Sequence, residues 1–388
     1  MPRSIYFDYN ATTPLDPAVR EAMLPYLDEH WGNPSSVHHI GRKARAMLDD
    51  ARDRIANFLG AKPSEIVFTS GGTESNNLAI FGTARRFKAK GKHLITSMIE
   101  HHAVSRCFDY LENNVGFLVT RLPVNAEGRV SVDDLKNSVR PDTILVSVMA
   151  ANNEIGTLQP VTEIGSFCRE RQIFFHTDAI QWFGKEPFAN IHQFKADLVS
   201  ICPHKFHGPK GIGLLFIRSP LLPDPIIFGG GQENNRRSGT ENFPAIIGLV
   251  NAIERFIRPY VFDKVYLKPL VDRLVLRIAS MPGCKLISPL KQSLVNTVAF
   301  TVEGSDGIAL IGGLDLEGIC ASSGSACSSG SLEPSHVVLA TGRRETANSL
   351  VRFSLGRHST EAEVDFVCSA LPDIIHRAQS AGFHANVM

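Results

Sequence analysis

A lysine set directly after an apolar strand and before a glycine-rich turn presents a primary amine at the edge of a sheet, as in Cys202-Pro203-His204-Lys205-Phe206-His207-Gly208-Pro209-Lys210-Gly211. Such an amine can condense with an aldehyde cofactor as a Schiff base. Upstream, Phe175-His176-Thr177-Asp178-Ala179-Ile180-Gln181 places a carboxyl just past a second apolar run. A carboxylate facing a pyridine nitrogen keeps it protonated, and a protonated ring accepts electrons from a substrate carbanion. Downstream, the stretch from Ala321 to Ser331 carries Cys327 with almost no apolar side chains around it. A thiol on such an exposed loop escapes the apolar burial that raises its pKa and can move between two sites. Together the three features point to pyridoxal phosphate chemistry that ends on a cysteine sulfur. Taken singly, each has an ordinary counterpart: a solvated lysine, an acidic helix cap, an incidental thiol in a linker.

Other segments supply what that chemistry requires. Thr69-Ser70-Gly71-Gly72-Thr73-Glu74-Ser75-Asn76-Asn77 follows an apolar run and precedes a helical pattern. The glycines, Gly72 among them, let free N–H groups and the positive end of a helix dipole approach an anion, and Thr73 adds a hydroxyl. The competing reading is a strand-to-helix turn capped by Thr73 or Ser75. Gln181, one turn beyond Asp178, and Asn153 in Ala151-Asn152-Asn153-Glu154 can each reach a phenolic oxygen. His101 in Glu100-His101-His102 can stack on an aromatic cofactor and relay protons near neutral pH. The paired histidines also raise a metal, but no third ligand at useful spacing accompanies them, so no metal is expected. His39 and His207 read as polar loop residues. Arg352, amid the apolar run Leu350-Val351-Arg352-Phe353, can clamp a carboxylate bidentately, with a structural ion pair as its rival. For Arg357 the ion pair is preferred.

The elements that must position these groups follow from periodicity. Between Ser36 and Gly60, Ala44, Met47, Leu48, Ala51, Ile55, Phe58 and Leu59 recur at three- and four-residue steps, giving an amphipathic helix closed by glycine. Short β-rich runs then alternate with helical stretches: 66–68, 93–95, 143–149, 173–176, 198–201 and 213–217. That alternation predicts an α/β fold, a mostly parallel sheet covered by helices, with ligand groups at the carboxyl ends of its strands. Near Pro259 the pattern changes to a helix through about Ile278, strands at 295–302 and 351–355, and a final helix after Thr360. The expected division is a large domain over 15–258 and a small one of 1–14 with 259–388, the latter carrying the cysteine loop at about 321–332.

Bulk properties narrow the classes. A chain of 388 residues with 43% apolar and 20% charged residues builds a full core. Forty basic against 39 acidic residues leave a net charge of +1, so no nucleic-acid or membrane footprint is expected. The start lacks a signal-peptide core and no apolar run is long enough to span a bilayer, which predicts a cytoplasmic protein. The seven cysteines form no CxxC pair and no disulfide framework, so most are expected as small buried hydrophobes.

Taken in order, these segments resemble the NifS/IscS-type cysteine desulfurases, fold-type I pyridoxal phosphate enzymes of the class V aminotransferase group. The resemblance runs from Phe7-Asp8-Tyr9-Asn10-Ala11-Thr12-Thr13-Pro14 and Gly32-Asn33-Pro34-Ser35-Ser36 to the Arg352 segment. Its most specific pieces are His204-Lys205-x-x-Gly208-Pro209-Lys210-Gly211, Arg237-Ser238-Gly239-Thr240 and Ser323-Gly324-Ser325-Ala326-Cys327. It implies that Lys205 carries the cofactor and Cys327 receives sulfur from L-cysteine, leaving L-alanine. It further implies that His101 stacks on the ring, Asp178 meets the ring nitrogen and Gln181 the phenolic oxygen. Gly72, Thr73, Cys202 and His204 fall at the phosphate, joined by Thr240 from a neighbouring subunit of a homodimer. Asn33, Asn153 and Arg352 match substrate-binding positions, and an iron–sulfur scaffold or other sulfur relay is the implied acceptor. The alternatives are a selenocysteine lyase or another class V pyridoxal phosphate enzyme. One departure stands out: Cys202 occupies a position where the family commonly has serine, which implies a looser phosphate grip because a thiol donates weakly.

Overall fold

The structure is a computed structural model that describes residues 4–324 and 333–385. The chain opens on a short strand, β1 (Ile5–Tyr6), and then lays down a seven-stranded sheet. Its strands are β2 (Ile66–Thr69), β3 (His93–Ser97), β4 (Leu118–Leu122), β5 (Thr143–Ser147), β6 (Phe174–Asp178), β7 (Leu198–Ile201) and β8 (Gly213–Ile217). Their spatial order is β2-β8-β7-β6-β5-β3-β4. Only β8 runs against the others, so the sheet is parallel apart from the pairings of β8 with β7 and β2. β2, β3, β5, β7 and β8 are buried along their whole length, as expected of strands covered on both faces. β4 escapes the periodicity reading because this edge strand is only partly covered, with Leu118 exposed and the next three residues half-buried.

The helices behave as their spacing dictates. His39–Leu59 buries Ala44, Leu48, Ala51, Ile55 and Leu59 on one face and stops at Gly60, whose φ of +71° continues no helix. Helix Gly72–Phe87 crosses the sheet with Leu78, Ala79 and Ile80 buried in a cluster that also holds Val67, Leu94, Leu145 and Leu215.

After residue 258 the chain forms helix Lys264–Ala279, then β9 (Cys284–Leu286), β10 (Thr297–Val302), β11 (Ile319–Cys320), β12 (Val351–Ser354) and helix Glu361–Ala385. The three antiparallel strands order as β12-β10-β9, while β11 pairs in parallel with β1. Ile5, Phe7 and Tyr9 pack in one apolar cluster with Phe262, Leu274, Phe300, Phe353 and Leu371, apart from the cluster under the central sheet. The N-terminal segment therefore belongs with the C-terminal core. It also runs along β12, where Ser354 N donates to Phe7 O and Tyr9 N to Ser354 O.

Candidate active site

Five strand ends meet at one cavity of about 180 Å³. β2 feeds Gly72, Thr73 and Asn76; β3 feeds His101; β5 leads to Met149, Ala151 and Asn153; β6 ends on Asp178, followed by Gln181; β7 leads to Cys202, His204 and Lys205. Asn10 and Ala11 from the N-terminal segment and Arg352 from β12 complete the wall.

Two of the strand-end groups are held by backbone next to them and two by the N-terminal segment. Asp178, 6% exposed, accepts from Ile180 N at 3.0 Å on Oδ1 and from Asn76 Nδ2 at 2.7 Å on Oδ2. Burial raises its carboxyl above the usual range, against the lowering pull of these donors and of Lys205. A cationic N–H in the cavity would relieve that strain on its charge. His101 caps helix His102–Tyr110, its Nδ1 accepting from Ala103 N at 3.0 Å. Burial, then Lys205, His102 and His336, push its pKa down to about 4, so at neutral pH it is an uncharged ring with its proton on Nε2. Lys205 Nζ donates to Asn10 O at 2.8 Å and to Ala11 O at 2.6 Å. His204 contacts Thr12 Oγ1 through Nδ1 at 3.1 Å, and burial with Lys205 lowers its pKa to about 3.

The remaining wall is built from long-range pairs. Arg352, 1% exposed, donates from one terminal nitrogen to Asn153 O at 2.9 Å and from the other to Asp8 Oδ1 at 2.6 Å. Two of its five N–H bonds are spent there, and Nε is buried with no acceptor among the described residues. The two readings of Arg352 thus coincide: it forms an ion pair and it lines the cavity. Arg357 is an ion pair with Asp16 at 2.6 Å. Cys202 Sγ donates to Ile212 O at 3.4 Å, and the Gly72 amide donates to Sγ, so the thiol proton points to a backbone carbonyl.

Two expected site residues stand elsewhere. Asn33 is exposed and turns its Oδ1 onto Ser35 N at 2.8 Å. Thr240 is exposed and lines a separate cavity with Ser70, Arg237 and Glu241. Cys327 lies outside the described residues, as does most of the 321–332 segment. Its described flank begins at Ser322, which exchanges backbone hydrogen bonds with Arg352. His207, read as a polar loop residue, is instead fully buried, stacked on Phe262 with its Nδ1 on Pro14 O, because the β7–β8 connection packs its ring among Tyr9, Phe256 and Phe262.

Asn10, Asn76 and Asp8 were missed by sequence reasoning. Asn76 sits one helical turn after Thr73, a spacing that could have flagged it. Its Oδ1 is buried without a donor among the described residues, although the side chain lines the cavity. Asn10 and Asp8 lie in the 7–14 segment that carries the resemblance, but no spacing marks their partners, among them Asn153 and Arg352, 143 and 344 positions away.

The donor set fits pyridoxal phosphate. The start of helix Gly72–Phe87 offers its first amides to an anion, Lys205 offers an amine, and Asp178 offers a buried carboxylate in the same cavity. Gly72 is needed there, since a Cβ would lie 2.2 Å from Ile180 Cδ1. No group of three metal-ligating side chains occurs among the described residues, and no helix among them is long and apolar enough to cross a membrane.

Comparison with known proteins gives one picture. The family model described as Aminotransferase class-V matches residues 5–367. A protein of Dictyoglomus turgidum named "Cysteine desulfurase IscS" is 47% identical over 98% of this chain and 96% of its own length. A second of that name, from Methanosarcina thermophila, is 47% identical over 97% and 93%. Among solved structures, a "NifS-like protein" superposes with a TM-score of 0.88 at 38% identity, covering 96% of this chain and 99% of that one. One titled "SspA in complex with cysteine" gives 0.81 at 36% identity, with coverage of 92% and 100%. With the family model matched over residues 5–367, the chain belongs to the class V aminotransferase family, whose cofactor is pyridoxal phosphate.

Proposed function

We propose that the chain is a cysteine desulfurase that takes the sulfur of L-cysteine onto Cys327 and releases L-alanine. The observation that carries this reading is the meeting of Lys205, Asp178, His101 and Arg352 around one cavity, with Arg352 hydrogen-bonded to Ser322 at the head of the segment bearing Cys327. The relatives named as cysteine desulfurases over nearly the full length support it.

Asp178 would hold the ring nitrogen of pyridoxal phosphate, Gln181 its phenolic oxygen, and Gly72, Thr73, Cys202 and His204 its phosphate, with His101 against the ring. When bound, the cofactor supplies an electron sink for the carbanion at the substrate α-carbon. Arg352 and Asn153 orient the α-carboxylate, with the N–H bonds that Asp8 and Asn153 O leave unspent. Lys205 Nζ removes and returns the α-proton. The Cys327 thiolate attacks the substrate sulfur: an S–S bond forms, the C–S bond breaks with its electron pair going to carbon, and protonation there completes alanine. The persulfide then passes to an acceptor such as an iron–sulfur scaffold.

The working unit is a homodimer. Trp31 and Val37, 69% and 87% exposed, flank Asn33, and Phe228, 76% exposed, precedes Thr240. Apolar side chains this exposed support a partner surface that would bring both residues to a cavity. We assign residues 15–258 to the cofactor domain and 1–14 with 259–388 to the small domain, and place the protein in the cytoplasm; the free cysteines among the described residues suit a reducing compartment.

The test is a single turnover with L-cysteine, trapping of sulfhydryls with an alkylating reagent and mass analysis. A Cys327 peptide one sulfur heavier, with alanine in equal amount, is expected. Alanine with sulfide released from Cys327→Ala at the wild-type rate would overturn the assignment.

A further inference from the structure

A fully buried lysine lies behind the cavity wall without lining it. Lys185, 0% exposed, places Nζ 2.6 Å from Asn10 Oδ1 and 2.5 Å from Gln181 Oε1, with the Phe262 ring centroid 5.1 Å away. Gly184, at φ +77°, turns the chain inward just before it, and a Cβ there would sit 2.7 Å from Phe206 Cβ. Both acceptors are neutral amide oxygens. Burial, together with Lys205 and Arg352, holds the Lys185 amine well below its ordinary pKa.

We propose that Lys185 is a positioning residue for the cofactor: its two N–H bonds lock the Gln181 amide so that the Gln181 NH2 group faces the cavity. This rests on the reading above that Gln181 meets the phenolic oxygen of pyridoxal phosphate.

The chemistry of the contacts fixes the orientation. A lysine nitrogen near an amide demands the oxygen side, because lysine donates. The other end agrees: Gln181 Nε2 donates to Asn10 O at 2.8 Å, a carbonyl that only accepts. With Oε1 on Lys185 and one N–H on Asn10 O, a single N–H is left for the cavity that Gln181 lines. The clamp needs two N–H bonds, which a lysine side chain supplies whether protonated or neutral. Asn10 keeps its place by other means, since Asn296 Nδ2 also donates to Oδ1 at 3.1 Å and its Nδ2 reaches Thr297 Oγ1 and Asn153 O. Gln181 Oε1 has no second donor among the described residues, so loss of Lys185 leaves it buried and unsatisfied.

A donor at the phenolic oxygen favours its ionised form, and that form absorbs at longer wavelength. The test uses the holoenzyme, comparing the spectrum and the cofactor dissociation rate of wild type, Lys185→Met, Gln181→Met and the double variant. Lys185→Met should move the band to shorter wavelength as Gln181→Met does and release pyridoxal phosphate about three- to tenfold faster, the worth of one buried hydrogen bond. In the Gln181→Met background, Lys185→Met should change neither reading. Should Lys185→Met alone fail to fold, the double variant, which removes both partners, still decides by its match to Gln181→Met. An unchanged spectrum and release rate in Lys185→Met, or a further loss in the double variant, overturns the positioning role while leaving the cofactor reading intact. A wild-type chain that binds no pyridoxal phosphate would sink that reading, and the clamp with it.

Discussion

Two walls of the same cavity are built in different ways. On the central-sheet side, each reactive group follows its own strand end, and two of them are fixed by backbone within a few residues: Asp178 by Ile180 N, His101 by Ala103 N. On the side formed by the N-terminal segment and β12, the groups hold one another across the chain: Arg352 holds Asp8, and Asn10 holds Lys205, Lys185 and Gln181. The first wall is the more local of the two. The second is a network in which one deletion strands its partners.

Substitutions can break this contrast or sharpen it. On the strand-end wall, Lys205→Ala should cost roughly 10²–10⁴-fold in turnover, the range for loss of a positioned proton-transfer group, while folding remains intact. Steady-state alanine release and a melting curve check both halves. On the network wall, Arg352→Met should cost about 3–5 kcal/mol of stability, because it leaves the Asp8 carboxylate without its buried partner. Denaturant midpoints test this, and adding Asp8→Leu should recover most of the loss. Recovery smaller than the scatter between replicates would mean the pair is not the source.

Buried histidines on the central-sheet side add a pH dependence. His101 is held at about 4, and His176 and His204 at about 3, from an ordinary 6.5. The folded state keeps these rings neutral while the unfolded chain protonates them below 6.5, so stability is present above that pH and is lost as pH falls toward 4. Melting temperature across that window should drop, and His176→Gln should flatten the slope. His176 lies between Ser147 Oγ at 2.8 Å and Ser200 Oγ at 3.0 Å, where an amide can replace it.

Legibility followed the same division. The strand-end groups could be read because an apolar run, a polar exit and a helix start occupy neighbouring positions, which is why β2, β3, β5, β6, β7 and β8 and their exits emerged from periodicity. The network could not: Asp8 and Arg352 are 344 positions apart, and nothing near Asn10 announces that it will meet Lys185 and Asn296. β4 was missed because Leu118-Val119-Thr120-Arg121-Leu122, on an edge left half-open to solvent, carries no continuous apolar run. Asn33 and Thr240, exposed on a single chain, entered through family resemblance alone.

Smaller effects refine the strand-end wall. His101→Ala loses a helix cap and should cost about 1 kcal/mol, whereas His101→Asn restores the cap and should stay near wild-type stability. Both should lose turnover, which separates the ring's role from the cap's. Smallest of all is Cys202→Ser. The thiol is directed at Ile212 O, so a serine hydroxyl must turn from that carbonyl to reach the phosphate, and release should slow by less than about tenfold, the scale of one hydrogen bond. Unchanged release would show that the position does not touch the phosphate's hold.

The account turns on which amine meets the cofactor. Borohydride reduction of the protein loaded with pyridoxal phosphate, followed by peptide mass mapping, reads this directly. The account predicts a phosphopyridoxyl group on Lys205 alone; a label on Lys185 or Lys210, or no label on any lysine, would contradict it.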